Sequence, residues 1–457
     1  MKKIIQNGTI VTVDDIFKGD IQIEDGIITS ISSYIEPNNE DHVIDANGQY
    51  VFPGGIDPHA HLANLGTVDD FNTGTKAAAT GGITSIINYV DPKRGQSVIK
   101  TLKEWKDKAK SSCIDYGFHS IINESNKNVL EELPALAKDE GVTSIKLFMA
   151  NQNKDVEIDD KVMYRLMKKA GMSGIICNVH AENGDVIENL VAEAVLQGNT
   201  SPIYHARTRP STLESEATNR ALRIAESAGA PVYIVHVTCG DALHQVIEAK
   251  KRGVRAYAET CPHYLVLDES FLDQPYLEGS KYVCSPPLRE RSEQEELWKG
   301  IDSGHISTIG SDHSSIPLEG GKDIGVDDFS KIPNGCPGIE NSFSLLFHFG
   351  VHEKRISLQK LVDVTSTGPA KVFGLYPKKG AIMVGSDADI VLLDPRLSKT
   401  ISQKTQFQST DYNIYEGIET QGKITHVLSR GELIVSEDSF HGKPGHGEYL
   451  HRKRSTD

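Results

Sequence analysis

The sequence predicts an α/β fold, a (β/α)8 TIM barrel with a small β-sandwich domain formed by both chain ends. Three observations carry that prediction. Apolar runs of strand length alternate with helical periodicity through the middle of the chain, which implies parallel strands joined by crossover helices. Eight such runs spread over roughly 250–330 residues, the number and span of a closed barrel with insertions. Both ends of the 457-residue chain read instead as short strands and tight turns, the grammar of a separate β domain.

At the N-terminus, Ile21 and Ile23 alternate with polar neighbours, Asp25-Gly26 makes a hairpin turn, and Ile27-Ile28 restarts the pattern. The eight central runs are residues 51–57, 82–90, 113–122, 142–150, 174–182, 231–238, 254–260 and 306–312. Helical stretches separate them. Ser97 is placed to cap a helix whose Val98, Leu102, Trp105 and Ala109 share a face, and Leu243, Val246 and Ile247 recur at helical spacing before Gly253 ends the run. No glycine-rich phosphate or dinucleotide motif follows any strand, so a doubly wound open sheet has no support. Strand grammar returns at Asp389-Ile-Val-Leu-Leu, at Ile424-Thr-His-Val-Leu, and across the Arg430-Gly431 turn into Leu433-Ile-Val. The expected domains are residues 1–52 with 378–436 for the β-sandwich, 53–377 for the barrel, and 437–457 for a C-terminal tail.

A hydrophobic fraction of 38% and a charged fraction of 24% are those of a soluble globular chain. The formal net charge of −15 argues against nucleic acid or an anionic membrane as partner, since either needs a dominant basic patch. The opening Met1-Lys-Lys-Ile-Ile-Gln-Asn-Gly turns polar too soon for a signal peptide, and no apolar run approaches the ~20 residues of a membrane helix. Six scattered cysteines without CxxC pairs suggest neither a zinc ribbon nor a disulfide framework. The expectation is a cytoplasmic protein.

The strand ends carry the chemistry. The first central run leads into Gly54-Gly-Ile-Asp-Pro-His-Ala-His-Leu62, where His59 and His61, two apart on extended backbone, point to one side and suit a single metal ion. Lys146 lies among apolar residues in the fourth run, His180 ends the fifth, His236 the sixth, and Asp312 follows in Gly310-Ser-Asp-His. A lone strand histidine is usually a satisfied half-buried residue, and a buried lysine usually an ion-pair partner. Their joint position at C-terminal strand ends, where barrels gather catalytic groups, is what points to a metal centre. His313 faces the opposite way from Asp312, His263 reads as structural, and His441, His446 and His451 as surface residues.

The segments GGIDPHAHL, SIKLFMA, VHAENGD, VHVTCGDAL, VCSPPLRE, IGSDH and DYNIYEG resemble, in order, the motif series of the hydantoinase/dihydropyrimidinase branch of the amidohydrolase superfamily, over nearly the whole chain. That resemblance implies two zinc ions per subunit, one held by His59 and His61 and the other by His180 and His236. It implies a Lys146 carboxylated by CO2 or bicarbonate (N6-carboxylysine) that bridges both, and an Asp312 that ligates the first metal and acts as general acid/base. Ser285 and Asn334 become contacts to the imide or ureide part of the ring. The family commonly has a tyrosine five residues after the bridging lysine, where it stabilises the oxyanion; here that position is Asn151, whose amide can still donate. The implied activity is hydrolysis of the cyclic amide of a hydantoin or dihydropyrimidine to an N-carbamoyl amino acid, by a homo-oligomer, dimer or tetramer, in which the tail 437–457 resembles the segment that reaches a neighbouring subunit. Allantoinase is the rival reading, because allantoinases of the superfamily also lack the tyrosine. A non-catalytic dihydropyrimidinase-like scaffold is the rival class. All six ligand positions are filled, which weighs against the scaffold.

Overall fold

The structure, a computed structural model, describes residues 2–151 and 155–454. Eight parallel strands run through the central region: β1 (Gly55–Ala60), β2 (Ile83–Val90), β3 (Asp115–Ile121), β4 (Ser144–Phe148), β5 (Ile176–His180), β6 (Val232–Ile234), β7 (Ala256–Thr260) and β8 (Thr308–Ile309). They are hydrogen-bonded in sequence order. A parallel bridge from Ala60 to His313 brings the last strand back to the first. This is the predicted barrel.

The first predicted run, 51–57, is in fact two strands. Tyr50–Pro53 pairs antiparallel with Ile390–Thr400 in the terminal sheet, while β1 pairs with β2. The break falls at Gly54, whose N–H donates to the Asp389 carbonyl at 2.8 Å and where any Cβ would run into the Thr84 side chain. Continuous apolar character hides such a switch of sheet.

Helices cover the barrel as the periodicity predicts. Ser97 caps Val98–Lys108 by accepting the Lys100 N–H, and Val98, Leu102 and Trp105 are its buried face. Gly240–Lys251 buries Leu243, Val246 and Ala249 and stops before Gly253, which sits at φ +87°. Inside the barrel, Ile56, Ile87, Ile176 and Tyr233 form an apolar plug with Phe373 and Leu375 from beyond the last strand. The floor is thereby closed, and ligands can enter only from the opposite rim.

Both chain ends form one nine-stranded sheet. Its branch point is Lys3–Val11, which pairs with Ile16–Glu24 on one side and with His42–Asp45 and Tyr50–Pro53 on the other. The sheet encloses its own core of Ile5, Ile10, Ile21, Val51, Ile390, Leu392 and Leu428. The tail lies against this chain's own barrel: Tyr116 donates to the Glu448 carbonyl, Leu450 donates to that of Tyr116, and Arg452 is buried. Its last three residues, 455–457, are outside the described residues. Lys379, fully buried, pairs with Asp115 on β3 and with Asp387 and Asp389 beside the terminal sheet, at 2.5, 2.9 and 2.7 Å. The three aspartates cluster closely enough to hold a cation, and Lys379 supplies it. No helix among the described residues is long and apolar enough to cross a membrane.

Candidate active site

A cavity of about 660 Å³ opens at the C-terminal ends of the strands. Its lining includes all six residues read as metal ligands together with Asn151, Ser285 and Asn334. His59 comes from β1, His61 directly follows its end, Lys146 lies in the middle of β4 and His180 ends β5. His236 and Asp312 lie just past β6 and β8, in left-handed backbone at φ +39° and +49°. Non-glycine residues are held there only when their surroundings over-determine the conformation, as at functional sites. The bend turns each side chain inward.

On one side, His59 Nε2 and His61 Nε2 approach the same Asp312 oxygen at 3.1 and 3.2 Å. His59 Nδ1 is 2.6 Å from Glu259 Oε1, a carboxylate with 0% exposure. Since a carboxylate only accepts, Nδ1 carries the proton, and in the neutral ring Nε2 presents a lone pair to Asp312. Acceptors that face one another in a buried space need a cation between them. Without a metal the proton takes that part: burial disfavours the imidazolium, but Glu259 and Asp312 outweigh it and push His59 up to about 9. Burial opposes ionisation of Asp312 too, yet His59 and His61 hold its carboxyl well below the usual range. Burial lowers His61 despite Asp312, which keeps it neutral and competent to bind a metal.

On the other side, His180 Nδ1 and His236 Nε2 lie 3.0 Å apart. The second nitrogen of His180 is held by Glu182 at 2.9 Å, whereas that of His236 is buried without a partner among the described residues. Burial and then Lys146 drive His236 well below the ordinary histidine range. His180 Nδ1 and His236 Nε2, turned towards each other, are a second pair of nitrogen donors.

Between the pairs stands Lys146, 1% exposed, with its ammonium 4.8 Å from the Tyr89 ring and 5.1 Å from that of Phe148. Burial lowers it to about 8, against the pull of Asp312 and Glu259. An amine this easily deprotonated is a nucleophile towards CO2 near neutral pH. The donor set therefore fits two divalent cations with a carboxylated lysine between them.

Ser285 is half-buried with its hydroxyl 3.5 Å from His205 Nε2, and the buried Asn334 Oδ1 has no hydrogen-bond partner among the described residues. The Asn151 backbone N–H donates to Glu157 at 3.3 Å, which anchors that wall. His313 does face away: Nε2 meets Asp69 at 3.1 Å and Nδ1 accepts the Gly338 N–H. His263 is buried beside Tyr264 outside the cavity lining. Of the tail histidines, His441 and His451 are exposed, but His446 is half-buried and meets the Ser429 carbonyl at 3.2 Å. Sequence reasoning missed Glu259, Glu182 and Arg209, the last of which also lines the cavity. Glu182 lay inside the VHAENGD motif, two residues past a proposed ligand, which was signal enough. Glu259 and Arg209 carried none, because a glutamate in a strand and an arginine after a short helix are ordinary.

Residues 50–434 match the model of the amidohydrolase family. The chain is 48% identical to D-hydantoinase of Geobacillus stearothermophilus, over 99% of this chain and 97% of that one. It is 46% identical to D-hydantoinase of Ralstonia pickettii, over 99% of each. The crystal structure of dihydropyrimidinase from Brevibacillus agri NCHU1002 superposes with a TM-score of 0.98 at 46% identity, covering 100% of both chains.

Proposed function

This chain belongs to the amidohydrolase family, and from that premise we propose that it opens the ring amide of hydantoins first and dihydropyrimidines second, giving N-carbamoyl amino acids. It is a hydrolase of cyclic amides of the hydantoinase/dihydropyrimidinase type, which sets aside the allantoinase and scaffold readings. The name D-hydantoinase carried by both relatives supports hydantoins as the first substrate class. The observation that carries the reading is the meeting of His59 Nε2 and His61 Nε2 at one Asp312 oxygen, with His59 Nδ1 pinned by Glu259.

His59, His61 and Asp312 would hold one zinc ion, His180 Nδ1 and His236 Nε2 the other, and Lys146 as N6-carboxylysine would bridge them. Such a pair of cations supplies an acidified water and a polarised carbonyl. Asp312 faces the cavity with a strongly basic-side neighbour set that keeps it ionised, so it can take the proton of the attacking water and hand it to the leaving ring nitrogen. Ser285 and Asn334 orient the ring, the unpartnered Asn334 Oδ1 accepting a ring N–H. Asn151 stands where the oxyanion forms. The enzyme works in the cytoplasm as a homo-oligomer, dimer or tetramer.

The test is a panel of hydantoin, dihydrouracil, allantoin and dihydroorotate on zinc-loaded protein, beside elemental analysis. Close to two metal ions per chain and a hydantoin preference are expected. Lys146→Ala should lose activity and at least one metal, with partial recovery in a short carboxylic acid. Metal content stuck near zero, or full activity in Lys146→Ala, would overturn the proposal.

A further inference from the structure

Lys322 lies outside the catalytic cluster and is 0% exposed. Its ammonium donates to the Val283 carbonyl at 2.6 Å and to the Pro333 carbonyl at 2.7 Å. Among the described residues no carboxylate lies within ion-pair distance; burial lowers its pKa, against a smaller pull from Cys336 and Cys284. A buried ammonium without a counter-ion is costly. Two apolar segments could be packed together by a methionine at no such cost, so the charge calls for a reason.

The two carbonyls identify one. Val283 is two residues before Ser285, and Pro333 immediately precedes Asn334. The segments come from distant parts of the chain; besides Lys322, Gly335 N–H donates to the same Val283 carbonyl at 3.1 Å, and the Cys336 thiol makes weaker bonds to the Lys281 and Val283 carbonyls at 3.5 and 4.0 Å. The far side of the second segment is held independently, by Ser314 N–H donating to the Cys336 carbonyl at 2.9 Å. Ser285 and Asn334 both line the cavity. We propose that Lys322 is a positioning residue: its ammonium clamps the Val283 and Pro333 carbonyls and thereby sets the spacing of Ser285 and Asn334 across the substrate ring. A tetrahedral ammonium with three donors can bridge acceptors from two strands of chain at a set angle, which no apolar side chain does. The proposal rests on the reading of Ser285 and Asn334 as ring contacts.

The experiment compares zinc-loaded parent, Lys322→Met, Asn334→Ala, Ser285→Ala and the Lys322→Met/Asn334→Ala pair with hydantoin as substrate. Lys322→Met should keep the parent's metal content and raise KM more than it lowers kcat, with a loss in kcat/KM on the order of 10–100-fold. In the Asn334→Ala background the same substitution should cost less than about threefold, because residues acting as a unit are not additive. Additive losses, an unchanged KM, or loss of metal with ring binding intact would overturn the clamp and leave the ring contacts standing. Silent Asn334→Ala and Ser285→Ala variants would instead remove the ring-contact reading and the clamp with it. If the methionine variant does not fold, Lys322→Gln, which is shorter and uncharged but keeps an N–H donor pair, carries the same comparison.

Discussion

Glu259→Gln should weaken one metal and spare the other. The carboxylate accepts from His59 Nδ1 at 2.6 Å, from the Tyr233 hydroxyl at 2.6 Å and from the His236 backbone N–H at 3.2 Å. Glutamine has the same shape. Its oxygen can keep His59 and the His236 amide, which share Oε1, and its amide nitrogen then faces Tyr233. That tyrosine can turn its proton to Thr308 Oγ1, 2.5 Å away, so no buried group is orphaned. What disappears is the negative charge that makes the His59 ring a stronger donor. Losses of this kind cost 10–100-fold in metal affinity, or about 1.4–2.7 kcal/mol. His180 and His236 receive no side-chain bond from Glu259, and their metal should hold. The assay is dialysis against a series of buffered zinc concentrations, with bound metal counted by elemental analysis. One ion per chain should leave at a free zinc concentration 10–100-fold higher than in the parent, on the same estimate. Equal weakening of both ions, or no change, would refute the argument that Glu259 acts through His59.

Asp312→Asn is close to isosteric and should fold, but kcat should fall by a factor on the order of 10²–10⁴ because the proton carrier is gone; a kcat within a few-fold of the parent would place the carrier elsewhere. Asn151→Tyr should move the kcat/KM ratio from hydantoins with a bulky 5-substituent towards dihydrouracil, by up to the 2.7–4 kcal/mol that one oxyanion donor is worth, roughly. A native preference for dihydrouracil would contradict that reading of Asn151. Lys379→Met should destabilise the fold by roughly 3–5 kcal/mol, since it strands buried carboxylates. The sign of its pH dependence follows from Asp387, which burial raises but Lys379 and Lys378 pull below 3.8. A depressed carboxylate contributes stability that is complete above its unfolded pKa and is lost as the pH falls through its folded value. The gap between parent and variant in urea melts should therefore be widest at neutral pH and shrink below about pH 4, by that linkage; a constant gap would show that the charge network is not its source.

Much of this molecule is legible along the chain. Strand and helix periodicity report which face of a short segment is buried, and burial in a barrel repeats with the period of each element. That is why the alternation of runs and the caps at Ser97 and Gly253 predict the architecture. His59, His61, His180, His236 and Asp312 stood out because a strand end is itself a local feature, and Lys146, which the structure puts in mid-strand, because it is a lysine inside an apolar run. What periodicity cannot carry is the identity of a neighbour across space. Residues 51–57 read as one apolar run because both the terminal sheet and the barrel bury it, and the close approach at Gly54 divides them. The proton on His59 is decided by Glu259, and the spacing of Ser285 and Asn334 by Lys322. Each is an ordinary polar residue until the fold removes water from it. Once buried, its charge must be answered by whatever group the tertiary structure has put within 3 Å, and a linear sequence names no such partner.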